Sequence, residues 1–357
     1  MHLNLLKKAF KKVLLISNGH QEYHDDLINI SEQVIYIDPY SQEKSYLKSL
    51  NDFKEFLNSK GINKSTNVIY GSGLEDKSEI SGYLDNNFPI IGNSFSNFHF
   101  LSNIYNLNKE LLTDKINLPE LSENYHYKFI SKKYNSSGGI GVGNSIQCKD
   151  AYFQKYIPGK TYSISFIARY NKFKVLGYNQ LLLIKDNTKF PFLHSGAMTI
   201  DDHNIEVKFP HKWLNTLVNL YNLTGYCSID FKIYDNKIFL LDFNPRLSSS
   251  YRLYKRRYNN LMHNHLGMSD DYSLSNNDHY AYVIFYAKKD IIINESIRYI
   301  SDVSDYPKIG ELIKKDAPIF TLNIHTNKQN NLIDEVKVRI NSVMEIIDCY
   351  NTQLEYE

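Results

Sequence analysis

The chain has 357 residues, 42% of them apolar, and its 41 Lys plus Arg against 39 Asp plus Glu leave a formal charge of +2. That length supports two or three compact units with their own cores, and the apolar share argues against wholesale disorder. The near balance of charge argues against a protein that coats nucleic acid, because such chains carry a marked basic excess.

The first hundred residues read as strands alternating with helices. "KKVLLISNG" (from Lys11), "QVIYID" (from Gln33), "NVIYGSG" (from Asn67) and "PIIGN" (from Pro89) are short apolar runs closed by Gly, Asn or Asp. Between them, "SYLKSLNDFKEFLNSKG" places apolar residues at helical spacing and stops at Gly61. Alternation of this kind predicts a small, parallel, doubly wound sheet over residues 1–103. A further helix is expected through "IYNLNKELLTDKI", before Pro119.

From Tyr127 to Arg246 the pattern changes to α+β with a mainly antiparallel sheet. Strand-like runs "YKFISKKY", "AYFQKYI" and "YSISFIARYNKFKVLGYNQLLL" follow one another, and the helix "HKWLNTLVNLYNLTG" separates them from "YCSIDFKIY" and "KIFLLDF". "GMSDDYSLSNNDHYA", from Gly267, reads as a flexible connector. Residues 267–357 then carry strand signals, the turn spacing of a small β unit, and a closing helix in "NLIDEVKVRINSVMEIIDCY".

Cys148, Cys227 and Cys349 are scattered, with no C-x-x-C pair, which suits a reducing, cytoplasmic setting. Lysines interrupt the apolar residues of "MHLNLLKKAFKKVLLISNG", and no small-residue cleavage site follows. No run approaches the length needed to span a bilayer, so a soluble protein is expected.

The first stretch with chemistry is "SKKYNSSGGIGVGNS", Ser131 to Ser145. Glycines without a Cβ let backbone N–H groups come close to phosphate oxygens. It is neither a Walker loop nor a G-x-G-x-x-G turn, and a plain hairpin tip is the competing account. Lys132 favours phosphate, since it ends a strand where an ammonium can reach under the loop. "YFQKYIPGKTYSISFIA" fits either an ordinary hairpin or a hinge for an adenine, with Gln154, Lys155, Tyr156 and Ile157 as its wall.

The acids carry the strongest signal. Asp230 in "YCSIDFKI" and Asp242 in "LLDFN" lie twelve residues apart on two strands joined by the turn "YDNK". Antiparallel pairing would set them side by side, where carboxylates repel unless a cation sits between them. Magnesium suits this, since it takes oxygen ligands and leaves room for phosphate. Asn244 adds an amide oxygen on the same strand face, and Arg246 follows it in "FNPR".

These segments together, "SSGGIGV", "YFQKYIPGKTYSISFI" and "GYCSIDF…FLLDFNPR", resemble the ATP-grasp superfamily in the expected order. The resemblance covers residues 104–250 closely, and the preceding Rossmann-like piece resembles the unit that comes before an ATP-grasp domain. "VIYGSGLED", "IIGN" and the C-terminal "VIFYAKKDI…PKIGELIKKDAPIFT" are similar to ATP-grasp proteins that handle one-carbon units on methanopterin and methanofuran.

The resemblance implies a Rossmann-like unit (1–103), a two-lobed ATP-grasp core (104–266) and a small C-terminal β unit with a closing helix (267–357). It also implies ATP with Mg2+, two ions in the usual arrangement, at matching positions. Lys109 and Lys132 would contact ATP. Ser137, Gly138, Gly139, Ile140 and Gly141 would close over the phosphates. Gln154 to Ile157 would form the adenine hinge, and Asp230, Asp242 and Asn244 would hold the magnesium. Arg246 would stabilise the transferring phosphate. Thr161 stands where many members carry a ribose-binding glutamate, and Asp242 replaces a commoner glutamate.

The activity implied is ADP-forming ligation of a small-molecule carboxylate to an amine through an acyl phosphate. A carboxylase using carboxyphosphate and an ATP-binding module without turnover are the alternatives. No nucleic acid or membrane partner is implied, and dimers are common among similar proteins.

Further substrate candidates come from position. Gly71, Ser72 and Gly73 follow a strand of the parallel sheet, as does His20, and the crevice of such a sheet lies there. "YRLYKRRYNN" offers Arg252, Arg256 and Arg257 for an anionic substrate just past Arg246, against a solvated basic face as the alternative. "HQEYH" (His20 to His24) imitates a zinc-protease helix but has Gln21 in place of the catalytic Glu, and "MHNH" reads as surface. "HSGA" (His194 to Ala197) lies in a loop of the ATP-grasp region, with its role open.

Overall fold

The structure is a computed structural model that describes residues 8–18, 21–39, 46–122, 124, 126–143, 150–184, 187, 189–350 and 352–353. His20 lies outside the described residues.

The N-terminal unit forms as the alternation requires. Strands β1 (Phe10–Ile16), β2 (Ser31–Ile37) and β3 (Asn67–Tyr70) make a parallel sheet of order β2-β1-β3. Helices α1 (Gln21–Ile30), α2 (Leu50–Ser59) and α3 (Ser78–Asn87) connect or follow these strands, and α4 (Phe95–Ser102) leads out of the unit. Ser49 caps α2 by accepting from the Asp52 N–H, and Ser94 caps α4 through the Asn97 N–H. Leu14, Ile16, Phe53, Phe56, Val68 and Leu84 pack one face of the sheet. "PIIGN" contributes a single parallel bridge, Val68 to Ile90, in place of a full strand. Pro89 has no N–H to give a ladder, and its carbonyl accepts from Val68 instead.

The helix expected through "IYNLNKELLTDKI" is replaced by two single 3-10 turns, Ile104–Asn106 and Lys109–Leu111. Asn103 and Asn108 each accept from a backbone N–H two residues on, the local bond by which Asn competes with helix.

The chain then builds two sheets that face each other. Strands β4 (Ile116–Asn117), β5 (Leu121–Ser122), β6 (Phe129–Lys133), β7 (Val142–Gly143) and β8 (Ala151–Lys155) come first, and all but β4 form a four-stranded sheet of order β5-β8-β6-β7. Next are β9 (Thr161–Arg169), β10 (Lys172–Ile184), β11 (His194–Ile200), α5 (His211–Leu220), β12 (Gly225–Tyr234) and β13 (Lys237–Asn244). Trp213, Leu214, Leu217 and Val218 turn the apolar face of α5 onto Ile164, Phe166, Ile229 and Phe231 of the large sheet.

Two short helices, α6 (Tyr251–Lys255) and α7 (Leu261–His265), precede β14 (His279–Tyr286), β15 (Ile291–Ile292), β16 (Val303–Ser304), β17 (Leu312–Ile313), β18 (Pro318–Thr326), α8 (Gln329–Ile346) and β19 (Thr352–Gln353). β14, β18 and β16 continue the large sheet, whose order is β16-β18-β14-β11-β10-β9-β12-β13-β4, while β15 and β17 pair separately. Every pairing in the large sheet is antiparallel except β13 with β4. Helix α8 closes the C-terminal part with Leu332, Val336, Ile340 and Val343 on Leu322 and Phe285.

The expected connector after Gly267 is tied down. Asn264 donates to the Ser269 and Asp271 carbonyls, and Asp271 accepts from Asn260 and Ser273. "MHNH" is likewise not surface: His265 is 3% exposed and its Nδ1 accepts from the Tyr226 N–H at 3.0 Å. Gly225 and Gly92 leave room for that ring, since a Cβ on Gly225 would stand 2.6 Å from Nδ1. Among the described residues no helix is long and apolar enough to cross a membrane.

Candidate active site

A cavity of about 290 Å³ opens between the four-stranded sheet, the large sheet and the strand ends of the N-terminal unit. Its floor is the β12–β13 ribbon. Asp230 and Asp242 are partners across this ribbon, with a register shift just beyond Asp230. Asn244, two residues on from Asp242, donates to Asp230 Oδ2 at 3.4 Å. Burial and then the Asp242 charge push the Asp230 carboxyl up to about 7, against the pull of Ser163, Arg246 and Lys132. Two acids that repel across a strand pair, with an amide beside them, are a donor set for a hard divalent cation such as magnesium. No cluster of three His, Cys, Asp or Glu side chains suited to a metal occurs among the described residues. The remaining oxygens would therefore come from Asn244, water or phosphate.

Cations ring this floor. Lys132 reaches over from β6 and donates to the Leu241 carbonyl and to Asp242 Oδ1, both at 3.0 Å. Lys232 also lines the cavity, with its Nζ donating to the Gly159 carbonyl at 2.7 Å and lying 4.9 Å from the Tyr156 ring. Sequence reasoning passed over Lys232, although it stands two residues beyond Asp230 and so shares its strand face. Arg246 is buried, its Nη2 donating to Glu75 Oε1 at 2.8 Å and its Nε having no partner.

The glycine-rich turn forms the roof. Ser137, Gly138, Gly139 and Ile140 line the cavity, whereas Gly141 is buried behind them, its carbonyl accepting from the Lys133 N–H. The turn rests on the start of β11, where the His194 N–H donates to the Gly138 carbonyl at 3.0 Å. Gly139 has φ +78, and a Cβ there would lie 1.8 Å from the Phe192 carbonyl oxygen. Only glycine fits this approach.

Gln154, Tyr156 and Ile157 form one wall, with Leu181, Leu183 and Phe192 opposite. Gln154 is buried with its Oε1 lacking a partner. His194 also lines the cavity, its Nε2 2.9 Å from the Tyr282 hydroxyl, and burial lowers its pKa to about 4.

Several expected contacts lie elsewhere. Lys109 is exposed on a 3-10 turn and does not line the cavity, because no helix forms to carry it inward. Lys155 points to the opposite face of β8 from Gln154 and pairs with Glu120 at 3.0 Å. Of Gly71, Ser72 and Gly73, only Ser72 lines the cavity. Arg252 is buried against Asp305 at 3.1 Å and Ser304, outside the cavity, tying α6 to β16. Arg256 lies 3.8 Å from Glu22, and neither it nor Arg257 lines the cavity. A basic run on and just past a short helix spreads its side chains around the axis, and Arg252 and Arg256 meet acids of neighbouring elements.

Two sheets clasping a cavity with acids and cations on its floor, beneath a glycine turn, make this an ATP-grasp fold. In sequence, residues 101–250 match the family model of the ATP-grasp domain. An uncharacterized protein of Methanocaldococcus jannaschii is 27% identical over 307 residues, covering 78% of this chain and 72% of its own. Among solved structures, biotin carboxylase from Campylobacter jejuni superposes with a TM-score of 0.65 at 13% identity, over 96% of this chain and 93% of that one. N5-carboxyaminoimidazole ribonucleotide synthetase from Thermus thermophilus gives 0.66 at 8%, over 97% and 100%. L-amino acid ligase from Bacillus licheniformis gives 0.62 at 11%, over 95% and 98%.

Proposed function

We propose that this protein is a Mg2+- and ATP-dependent ligase that converts a substrate carboxylate to an acyl phosphate for attack by an amine, releasing ADP and phosphate. The observation that carries the reading is the convergence of Asp230, Asp242, Asn244, Lys132 and Arg246 on one cavity under the Ser137–Gly139 turn. A module that only binds ATP has no need of a buried arginine beside paired acids.

A carboxylate resists nucleophiles because its leaving group would be oxide, and phosphorylation removes that obstacle. The protein's part is positioning and charge compensation. Gln154, Tyr156 and Ile157 would hold the adenine, with Thr161 at the ribose. Ser137, Gly138 and Gly139 would offer backbone N–H groups to the phosphates. Lys132 and Lys232 would spread positive charge along them. Asp230, Asp242 and Asn244 would hold magnesium, as two ions by family resemblance, and bound magnesium would neutralise phosphate charge. Arg246 would gather the negative charge that builds on the transferred phosphoryl group and the acyl centre.

We further infer units at 1–103, 104–266 and 267–357, a cytoplasmic setting, and substrates among precursors of a one-carbon carrier cofactor. The last rests on the resemblance of "VIYGSGLED" and the C-terminal segment. A screen of amino acids and cofactor precursors for ADP formation, with mass spectrometry of the product, tests the reading. Acid- and amine-dependent ADP release supports it. ADP release with bicarbonate and no amine would assign the carboxylase reaction instead, and ATP binding without release under any acid would leave only a binding module.

A further inference from the structure

Three acids line the cavity among the described residues: Asp230, Asp242 and Glu75. The first two face each other as the cation pair, which leaves Glu75 without a role in nucleotide handling. It follows β3 at the carboxyl edge of the parallel sheet, where ligands of such sheets bind. Its side chain is 5% exposed, and its carboxylate accepts from Arg246 Nη2 at 2.8 Å and from the Gly73 N–H at 2.7 Å. Each oxygen thus has one hydrogen bond here and capacity for another.

We propose that Glu75 anchors the acceptor amine as its ammonium ion, so that the second substrate is a cationic amine; this rests on the ligase reading above. Charge balance carries the inference. A buried arginine and carboxylate are tolerable only while each is paired. Once Arg246 turns its charge to the phosphoryl and acyl oxygens, Glu75 is left as a buried anion that lacks a full counter-charge. An ammonium group beside it restores neutrality and stands next to the carbon that Arg246 attends. Asn18 and Ser72 line the same side of the cavity and offer neutral hydrogen-bonding partners to the rest of the amine.

In the step itself, one proton passes from the ammonium to Glu75 and on to solvent. The nitrogen lone pair forms the C–N bond while the bond from the carbonyl carbon to the phosphate oxygen breaks. The departing phosphate keeps that electron pair and takes the second proton.

The test uses the full chain and the acid selected by the ADP-release screen, with two acceptors near neutral pH. One is the screen's amine, which is charged there; the other is hydroxylamine, which is mostly uncharged and traps an acyl phosphate as a hydroxamate. In Glu75→Gln the KM for the amine should rise about tenfold or more beyond any change in the KM for hydroxylamine. Loss of both activities in a variant that melts like wild type would make Glu75 a support for Arg246 and overturn the proposal. An unchanged KM would also overturn it. Should Glu75→Gln fail to fold, Glu75→Asp is read the same way, its shorter stem moving the charge off the amine. Wild-type protein that forms neither ADP nor hydroxamate with any acid would remove the ligase reading itself, a separate outcome.

Discussion

The ammonium of Lys132 lies 3.0 Å from the Asp242 carboxylate and joins two sheets across 110 positions of sequence. Through it the β6 strand, which leads into the glycine turn, is electrostatically tied to the acid pair on the β12–β13 ribbon. Under the proposed function, nucleotide grip and cation binding are therefore coupled. Asp242→Asn should lower ADP release by about 10²-fold or more while the melting temperature stays near that of wild type. Lys132→Met should raise the KM for ATP with a smaller effect on stability. Steady-state kinetics beside thermal melts check both, and normal turnover in Asp242→Asn would remove the acid pair from the site.

The glycine turn supplies an internal comparison. Gly138 has φ +65 with open space around its missing Cβ, whereas Gly139 meets the Phe192 carbonyl. Gly138→Ala should cost only the left-handed backbone strain, about 1 kcal/mol. Gly139→Ala adds a clash with backbone that cannot be relieved by a side-chain rotation, so the turn must lift. Calorimetry should find ATP affinity weakened much more by Gly139→Ala, and equal losses would contradict the packing described.

Arg252 separates a structural arginine from a substrate-binding one. Removing its side chain takes the charged hydrogen-bond partner from Asp305, which is partly buried and keeps only the Thr321 hydroxyl, a loss of about 1.5–3 kcal/mol. Arg252→Met should therefore lower the urea midpoint strongly while the KM for the acid is unchanged in the protein that remains folded. A raised KM at full stability would return Arg252 to the substrate site.

Burial lowers the pKa of both His265 and His194 to about 4. Below its ordinary value near 6.5, an unfolded histidine binds a proton that the folded one refuses. Stability is therefore fully present above about pH 6.5 and declines as the pH falls towards 4, by a few kcal/mol for each ring. Urea unfolding at pH 7 and pH 4.5 should show this loss. His265→Gln should flatten the slope, since the replacement does not titrate there, and an unaltered slope would mean that other groups govern it.

Much of the candidate site's geometry was legible in the chain because its parts are local. Asp242, Asn244 and Arg246 sit at strand spacing, and the turn "YDNK" alone sets Asp230 opposite Asp242. The glycine turn and Lys132 are read the same way, from residues within ten positions of each other. Local chemistry also explains two misreadings that propensity encouraged: Asn103 and Asn108 cut a helical pattern into 3-10 turns, and with the helix went Lys109.

What local pattern determined was the type of each element and the presence of a strand pair bearing acids above an apolar face. The fold decided partners. Glu75 meets Arg246 across 171 residues, Arg252 meets Asp305 instead of the cavity, and His265 fills the space left by Gly92 and Gly225. A side chain's reach is set by its neighbours along the strand, but its counter-charge is set by whichever element packs against it, and that depends on sheet order.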